Sequence, residues 1–246
     1  MKNYVIVLGI FIFPGFVLAD YLHEKNTSKN IQLLDDGSKS QVVFDKKGVF
    51  NIITYSDAST DLPLAMIDKM QQRTLEIRQN GYAIVDYELS NHHLLELMDD
   101  KKNPQKDRSR IFERLSFTPK SFDTFKKANI VEVKVVPAGA VGALRSTGIK
   151  RVVHYSKLGD LIVYENDYVE AGQKIEFFKE AINFYVGNDL EKPGILTNLR
   201  NSRGQTHTEL RWISGNKFFT ISHYGDVSLG QEKTEALKQL ATWLSE

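Results

Sequence analysis

Six histidines and no cysteine set the limits of the chemistry this 246-residue chain can offer. Without Cys there is no thiol nucleophile, no disulfide and no thiolate metal ligand. His92 and His93 are adjacent. On a helix they diverge by about 100°, whereas a shared metal ion asks for i and i+4 spacing. They read as residues near a helix cap. His154 and His223 each fall in an expected strand beside a tyrosine, and His207 lies shortly before Trp212. These three become a ligand set only if topology brings them together; otherwise they are scattered surface or half-buried imidazoles. Glu165, Asp167 and Glu170, or Glu176 and Glu180, could supply paired carboxylates for acid–base work. Nothing in their spacing sets the separation that glycoside hydrolysis needs, so a solvated strand edge is the preferred reading. No G-x-S-x-G elbow, H-E-x-x-H helix or G-x-x-x-x-G-K-[ST] loop occurs. The chain calls for no cofactor and no metal.

Arginines offer a second kind of chemistry. Arg145, Arg151, Arg200, Arg203 and Arg211 fall in two similar β-rich segments, several at turns, and could face a common groove that takes an anion. Cross-strand pairing with Asp and Glu is the favoured alternative. The groove candidates are therefore Arg145, Arg200, Arg211, His154, His207, Trp212 and His223. The basic run Lys101, Lys102, Lys106, Arg108, Arg110 and Arg114 is offset by Asp99, Asp100, Asp107 and Glu113 and reads as a solvated linker. Contact with anionic lipid or an acidic partner is the alternative there. Phe177, Phe178, Phe184, Tyr185, Trp212, Phe218 and Phe219 make the expected sheet aromatic on both faces. Core packing accounts for most of that, and a lipid or a partner strand is the alternative.

The elements that must hold these residues are clearest over Glu180–Glu246. Ile182, Phe184 and Val186 alternate with polar or small neighbours, the pattern of a strand with one wet face. Ile195–Leu199, His207–Ile213 and Lys217–Tyr224 follow as strands, the last two joined by Ser214-Gly215-Asn216. Leu229, Ala236, Leu237, Leu240, Ala241 and Leu244 recur at helical spacing and predict a closing helix laid across one sheet face. Val131–Tyr168 has a similar order of strands and turns, with Tyr155 where Trp212 falls later, and suggests an internal β-repeat of roughly fifty residues.

This C-terminal unit is similar to a small domain of unknown function found in bacterial extracytoplasmic proteins. That domain lies near the outer-membrane lipoprotein carrier fold and the related sigma-factor regulatory sensors. Pro193, Gly194, Ile195, Leu196, Leu210, Trp212, Phe219, Ile221, Leu240, Ala241 and Leu244 carry the likeness, over about the last quarter of the chain. These are fold positions, so the resemblance implies a helix-closed antiparallel sheet and transfers no site residue. The family's large N-terminal sheet is not evident, which weighs against a lipoprotein-carrying role.

Met1–Ala19 reads as a signal peptide: Lys2, an apolar stretch over Tyr4–Leu18, and Val17-Leu18-Ala19 ahead of Asp20. The stretch is short for a membrane span, which takes about 20 residues, so an uncleaved anchor over 4–18 is the alternative. With no Cys, no lipobox follows. Removing Lys2 with the leader leaves 31 basic against 31 acidic residues, a balance that argues against bulk capture of nucleic acid. Residues 20–40 read as a polar lead-in. Residues 41–98 read as a small α+β module: strands Gln41–Asp45 and Val49–Tyr55, a helix capped by Asp61 and stopped by Gly81, a strand over Tyr82–Leu89, and a short helix after Asn91. Residues 99–120 read as a linker, and 121–246 as a β-rich domain that opens with a helix capped by Ser121.

The fold expected is α+β and mainly antiparallel. The function expected is an exported, non-enzymatic binding or interaction protein of the bacterial envelope, periplasmic or secreted, whose partner is an unknown protein or envelope component. The alternatives are a hydrolase assembled from distant His, Asp and Glu, and a lipid or lipoprotein chaperone. Ligand and oligomeric state stay open.

Overall fold

The computed structural model describes residues 48–57, 62–102, 108–125, 129–141 and 145–246, and for residues 6–8 the backbone pairing alone. The expected leader boundary, the lead-in 20–40, strand Gln41–Asp45, the Asp61 cap and the linker residues 103–107 lie outside the described residues.

Two antiparallel meanders build the centre. The first comprises β4 (Ile130–Val141), β5 (Ser146–Tyr155) and β6 (Gly159–Asp167); the second comprises β9 (Pro193–Asn201), β10 (Thr206–Ser214) and β11 (Lys217–His223). Their third strands pair antiparallel, Thr220 opposite Tyr164, giving the order β9-β10-β11-β6-β5-β4. The same three-strand path thus occurs twice. Gly215 turns the β10–β11 hairpin at φ 59°, a left-handed conformation that glycine adopts without a Cβ penalty. β4 runs through from Ile130 to Val141, with register shifts at Glu132/Lys134 and Ala138/Val141. β4 lies at the sheet edge, where Pro137 leaves no ladder hydrogen bond unmade. Of the strand expected at Ile182–Val186, β8 (Phe184–Tyr185) forms and pairs with β9.

The earlier segment is woven into these strands. β3 (Ala83–Val85) runs parallel to β9. Its Ile84 N–H is taken by Glu76 Oε2 at 3.1 Å. β2 (Val49–Ile53) pairs in parallel with β7 (Lys174–Phe178), and β1 (Ile6–Leu8) pairs with the other edge of β7. Residues on either side of 99–120 therefore share both sheets. Helix α1 (Leu64–Asn80) ends at Gly81, φ 81°, whose N–H returns to Ile77 O as a left-handed C-cap should. Helix α2 (His92–Met98) follows Asn91, and α3 (Arg108–Glu113) is a turn and a half. Ser121 Oγ accepts from Asp123 N–H and opens a single 3-10 turn at Phe122–Thr124. The longer helix expected there reaches residues 126–128, which are outside the described set.

Helix α4 (Gln231–Ser245) covers one sheet face. Ala236, Leu237, Leu240, Ala241 and Leu244 meet Val153, Tyr155, Leu161, Val163, Leu210, Trp212, Phe219 and Ile221 in the largest core cluster. Side chains fully withdrawn from water there are worth about 1.5–3 kcal/mol each. The opposite face carries two separate covers. The small sheet sets Phe50, Ile175 and Phe177 against Ile195, Ile213 and Phe218, while α2 sets Leu94 and Leu97 against Val152 and Ile162.

Candidate functional site

Between those two covers the sheet presents a polar row. Register places Arg211, Thr220, Tyr164 and Lys150 side by side on β10, β11, β6 and β5. Period-two alternation puts all four on the face away from α4. The next row toward α2 reads Thr197, Glu209, Ser222, Ile162 and Val152. The row beyond Tyr164 in the other direction begins with Ile213 and Phe218, already under the small sheet. The polar row is thus a seam with apolar packing on both sides.

Burial varies along it. Arg211, Glu209, Thr197 and Thr220 are buried, whereas Tyr164, Ser222 and Lys150 are half-buried. Arg211 Nε stands 2.6 Å from Glu209 Oε1, so that charge pair is internally matched. Lys134, one strand further, is matched by Asp100. Lys150 differs: among the described residues, its ammonium meets one polar side chain, His93 Nε2 at 3.4 Å. Loss of hydration lowers the Lys150 pKa. The His93 pKa is lowered too, first by the surrounding protein and then by the Lys150 charge, which favours the neutral ring as acceptor. Burial pushes the Tyr164 phenol well up, so it is a donor at any physiological pH. Among the described residues, the Tyr164, Thr220 and Ser222 hydroxyls take no protein hydrogen bond, and Thr197 Oγ1 is buried without one. The seam therefore offers donors that the fold itself does not engage.

The α4 face holds a second polar cluster, of opposite character. Arg151 is wholly buried and donates from Nη2 to Glu165 Oε2 at 3.0 Å and from Nη1 to Lys120 O at 2.6 Å. Lys217 Nζ donates to Glu165 Oε1 at 2.7 Å. Glu132 lies 3.9 Å from Arg151 Nη1 and 2.6 Å from Arg108 Nε. Phe122 and Phe117 lie over the Arg151 and Lys217 charges, at 4.5 Å in each case. This network joins segment 108–122 to the sheet. The Ser-x-x-Lys string Ser214–Lys217, a spacing used by some serine nucleophiles, is here a hairpin whose lysine belongs to this network.

The residues singled out in the sequence do not gather. Trp212 is fully buried under α4, stacked on Phe219 at 4.8 Å and donating from Nε1 to Ser245 Oγ at 2.7 Å. His223 is on that same face, with Nε2 2.7 Å from Leu158 O. His207 is on the seam face but two rows from Lys150's level, its ring tilted against Tyr224 at 5.1 Å. His154 is exposed and paired with Asp160 at 2.8 Å. Arg200 covers the Tyr82 ring and binds Asp226, Nε to Oδ2 at 2.6 Å. Burial alone would raise the Asp226 pKa, but Ser228 and Arg200 outweigh it and hold the carboxylate low. Arg145 is exposed at the start of β5, and Arg211 alone of the arginine candidates lines the seam. The proposed carboxylate sets are dispersed as well. Glu165 binds two cations, Glu176 pairs with Lys174, Glu180 accepts from Tyr55 N–H at 3.3 Å, and Asp167 accepts from Glu170 N–H at 3.0 Å.

Lys150, Tyr164, Thr220 and Glu209 carried no motif. Their one sequence signal is a polar residue at every second strand position, which reads as a wet face unless distant segments are known to cover it. Among the described residues, no group of three or more His, Asp or Glu is placed to hold a metal ion, and no helix is long and apolar enough to cross a membrane. Compared with protein-family models, curated proteins and solved structures, the chain finds no match.

Proposed function

We propose that the chain is an exported binding protein of the bacterial envelope that works without turnover, and that its ligand lies along the seam. The observation that carries this is the row Thr220–Tyr164–Lys150, half-buried to buried, with hydroxyls that no described residue engages and an ammonium that meets the His93 ring but no carboxylate among the described residues. Beside the row, Thr197 Oγ1 is buried without a partner, and buried polar groups ordinarily find one. A hydrolase asks for a base within hydrogen-bond reach of a nucleophile. In the seam the one carboxylate, Glu209, is held by Arg211. The leader-like Met1–Ala19, whose Ile6–Leu8 pairs with β7 in this structure, supports export, and the equal numbers of basic and acidic residues beyond it suit a discrete ligand better than a polyanion.

The likeness to the lipoprotein-carrier neighbourhood supports a shared helix-on-sheet build. A carrier of lipid asks for a broad open apolar face, whereas here α4 covers one face and α2 with the small sheet covers the other. The seam reading is tested by native mass spectrometry of the protein purified from its own host without denaturation. The expected spectrum shows the chain with a retained small ligand that is lost on substituting Lys150. Turnover abolished by a single polar substitution would overturn it.

A further inference from the structure

The seam's chemistry names a class of ligand. Among the described residues, the side chains that the seam leaves without a hydrogen bond are hydroxyls able to donate or accept, on Tyr164, Thr220, Ser222 and Thr197, and the Lys150 ammonium spends one of its three protons on His93. The nearby carboxylates are already matched, Glu209 by Arg211 and Asp100 by Lys134. Lys150 is therefore the one cation of the face without a described counter-charge, and it sits where the covers part. Opposite residues on adjacent antiparallel strands hold their Cβ atoms about 5 Å apart, so Tyr164 has Lys150 beside it on one strand and Thr220 on the other, with Lys150 and Thr220 about 10 Å from each other. Hydrogen bonds from donors to a charged acceptor are roughly twice as strong as neutral ones.

We infer that the seam binds a small oxyanion, a carboxylate or a phosphate group, with Lys150 Nζ as counter-charge and the Tyr164 and Thr220 hydroxyls as orienting donors. This rests on the seam being a binding site at all. Arg211 stays with Glu209, and the neutral His93 ring holds Lys150 at the opening.

The test is thermal unfolding and titration calorimetry of the full chain with three probes at constant ionic strength: inorganic phosphate, succinate and, as a neutral control, glucose. Either anion is expected to raise the melting temperature saturably by a few degrees, as a ligand at some tens of times its dissociation constant does. Phosphate and succinate then distinguish the two sources of the oxyanion. Lys150→Met should weaken binding at least about tenfold, and Tyr164→Phe by about tenfold, the loss of one hydrogen bond to a charged group. Tyr164→Phe keeps the ring and carries the test if Lys150→Met does not fold. An anion response unchanged in both variants overturns the assignment. A response to glucose alone overturns the oxyanion and leaves the binding seam standing. No response to any probe, together with a native spectrum free of adducts, overturns both.

Discussion

On β5, sequence neighbours put two cations on opposite faces of one sheet. Arg151 lies beneath segment 108–122, bound to Glu165 and to the Lys120 carbonyl and covered by Phe122. Lys150, one residue earlier, faces the seam with the His93 ring as its described polar neighbour. Glu165 and Tyr164 repeat the contrast one strand over. Both faces carry polar side chains at core depth, but Arg151 faces two carboxylates, whereas Lys150 meets no carboxylate among the described residues; each face also keeps buried polar atoms without a hydrogen bond, Arg151 Nε and Glu132 Oε2 on one and Thr197 Oγ1 on the other. Burial alone thus does not distinguish the two faces; the presence or absence of an opposite charge beside each cation does.

The comparison can be broken most directly at Arg151. Arg151→Met leaves Glu165 buried with Lys217 alone, and should cost about 3–5 kcal/mol in urea denaturation. The double variant Arg151→Met/Glu165→Leu should recover part of that, because replacing both partners removes the stranded charge. A loss under about 1 kcal/mol in the single variant would erase the distinction between the faces. On the same side, Leu240→Ala should cost about 2–5 kcal/mol, since the side chain is wholly buried between α4 and the sheet.

Acid should act through one histidine on each face. Burial lowers the His207 and His223 pKa values, so the folded protein holds both rings neutral below the ordinary value near 6.5. The unfolded chain then binds more protons. Stability should fall as pH drops below about 6.5, by at most about 1.4 kcal/mol per pH unit for each ring, until the folded value is reached. Urea midpoints at descending pH measure this, and His223→Asn should flatten the curve. The smallest effect belongs to the seam. Lys150→Met should change stability by no more than about 0.5 kcal/mol, because it removes no carboxylate's partner. A large loss there would make the seam as structural as the opposite face.

Much of the fold was legible because it is periodic or punctuated. The apolar stripe of α4, the glycine stop at Gly81, the hairpin at Gly215 and the two meanders are all local signals. The parallel pairing of β2 with β7 was not, since it joins residues more than 120 apart that share no turn. The site was less legible for a related reason. Alternation correctly gives Tyr164, Thr220 and Arg211 one face, but whether that face meets water depends on α2 and β7, which come from far along the chain. Trp212 and the histidines attracted notice by residue type. Their surroundings are what assign them, Trp212 to the core and His154 to an exposed pair.

The junction of β6 with β11 also fixes when the structure can close. β6 ends at Asp167 and β11 begins at Lys217, so a chain emerging N-terminus first shows its first meander long before that edge is filled. Val153, Leu161 and Val163 lack their cover until α4, which follows β11, arrives. A chain cut ahead of Lys217 would keep both an open strand edge and a bare apolar face, the combination that pairs with other chains. Assembly therefore waits for β11 and α4, whether the polypeptide is leaving a ribosome or threading a pore, and chains cut ahead of them should aggregate rather than fold.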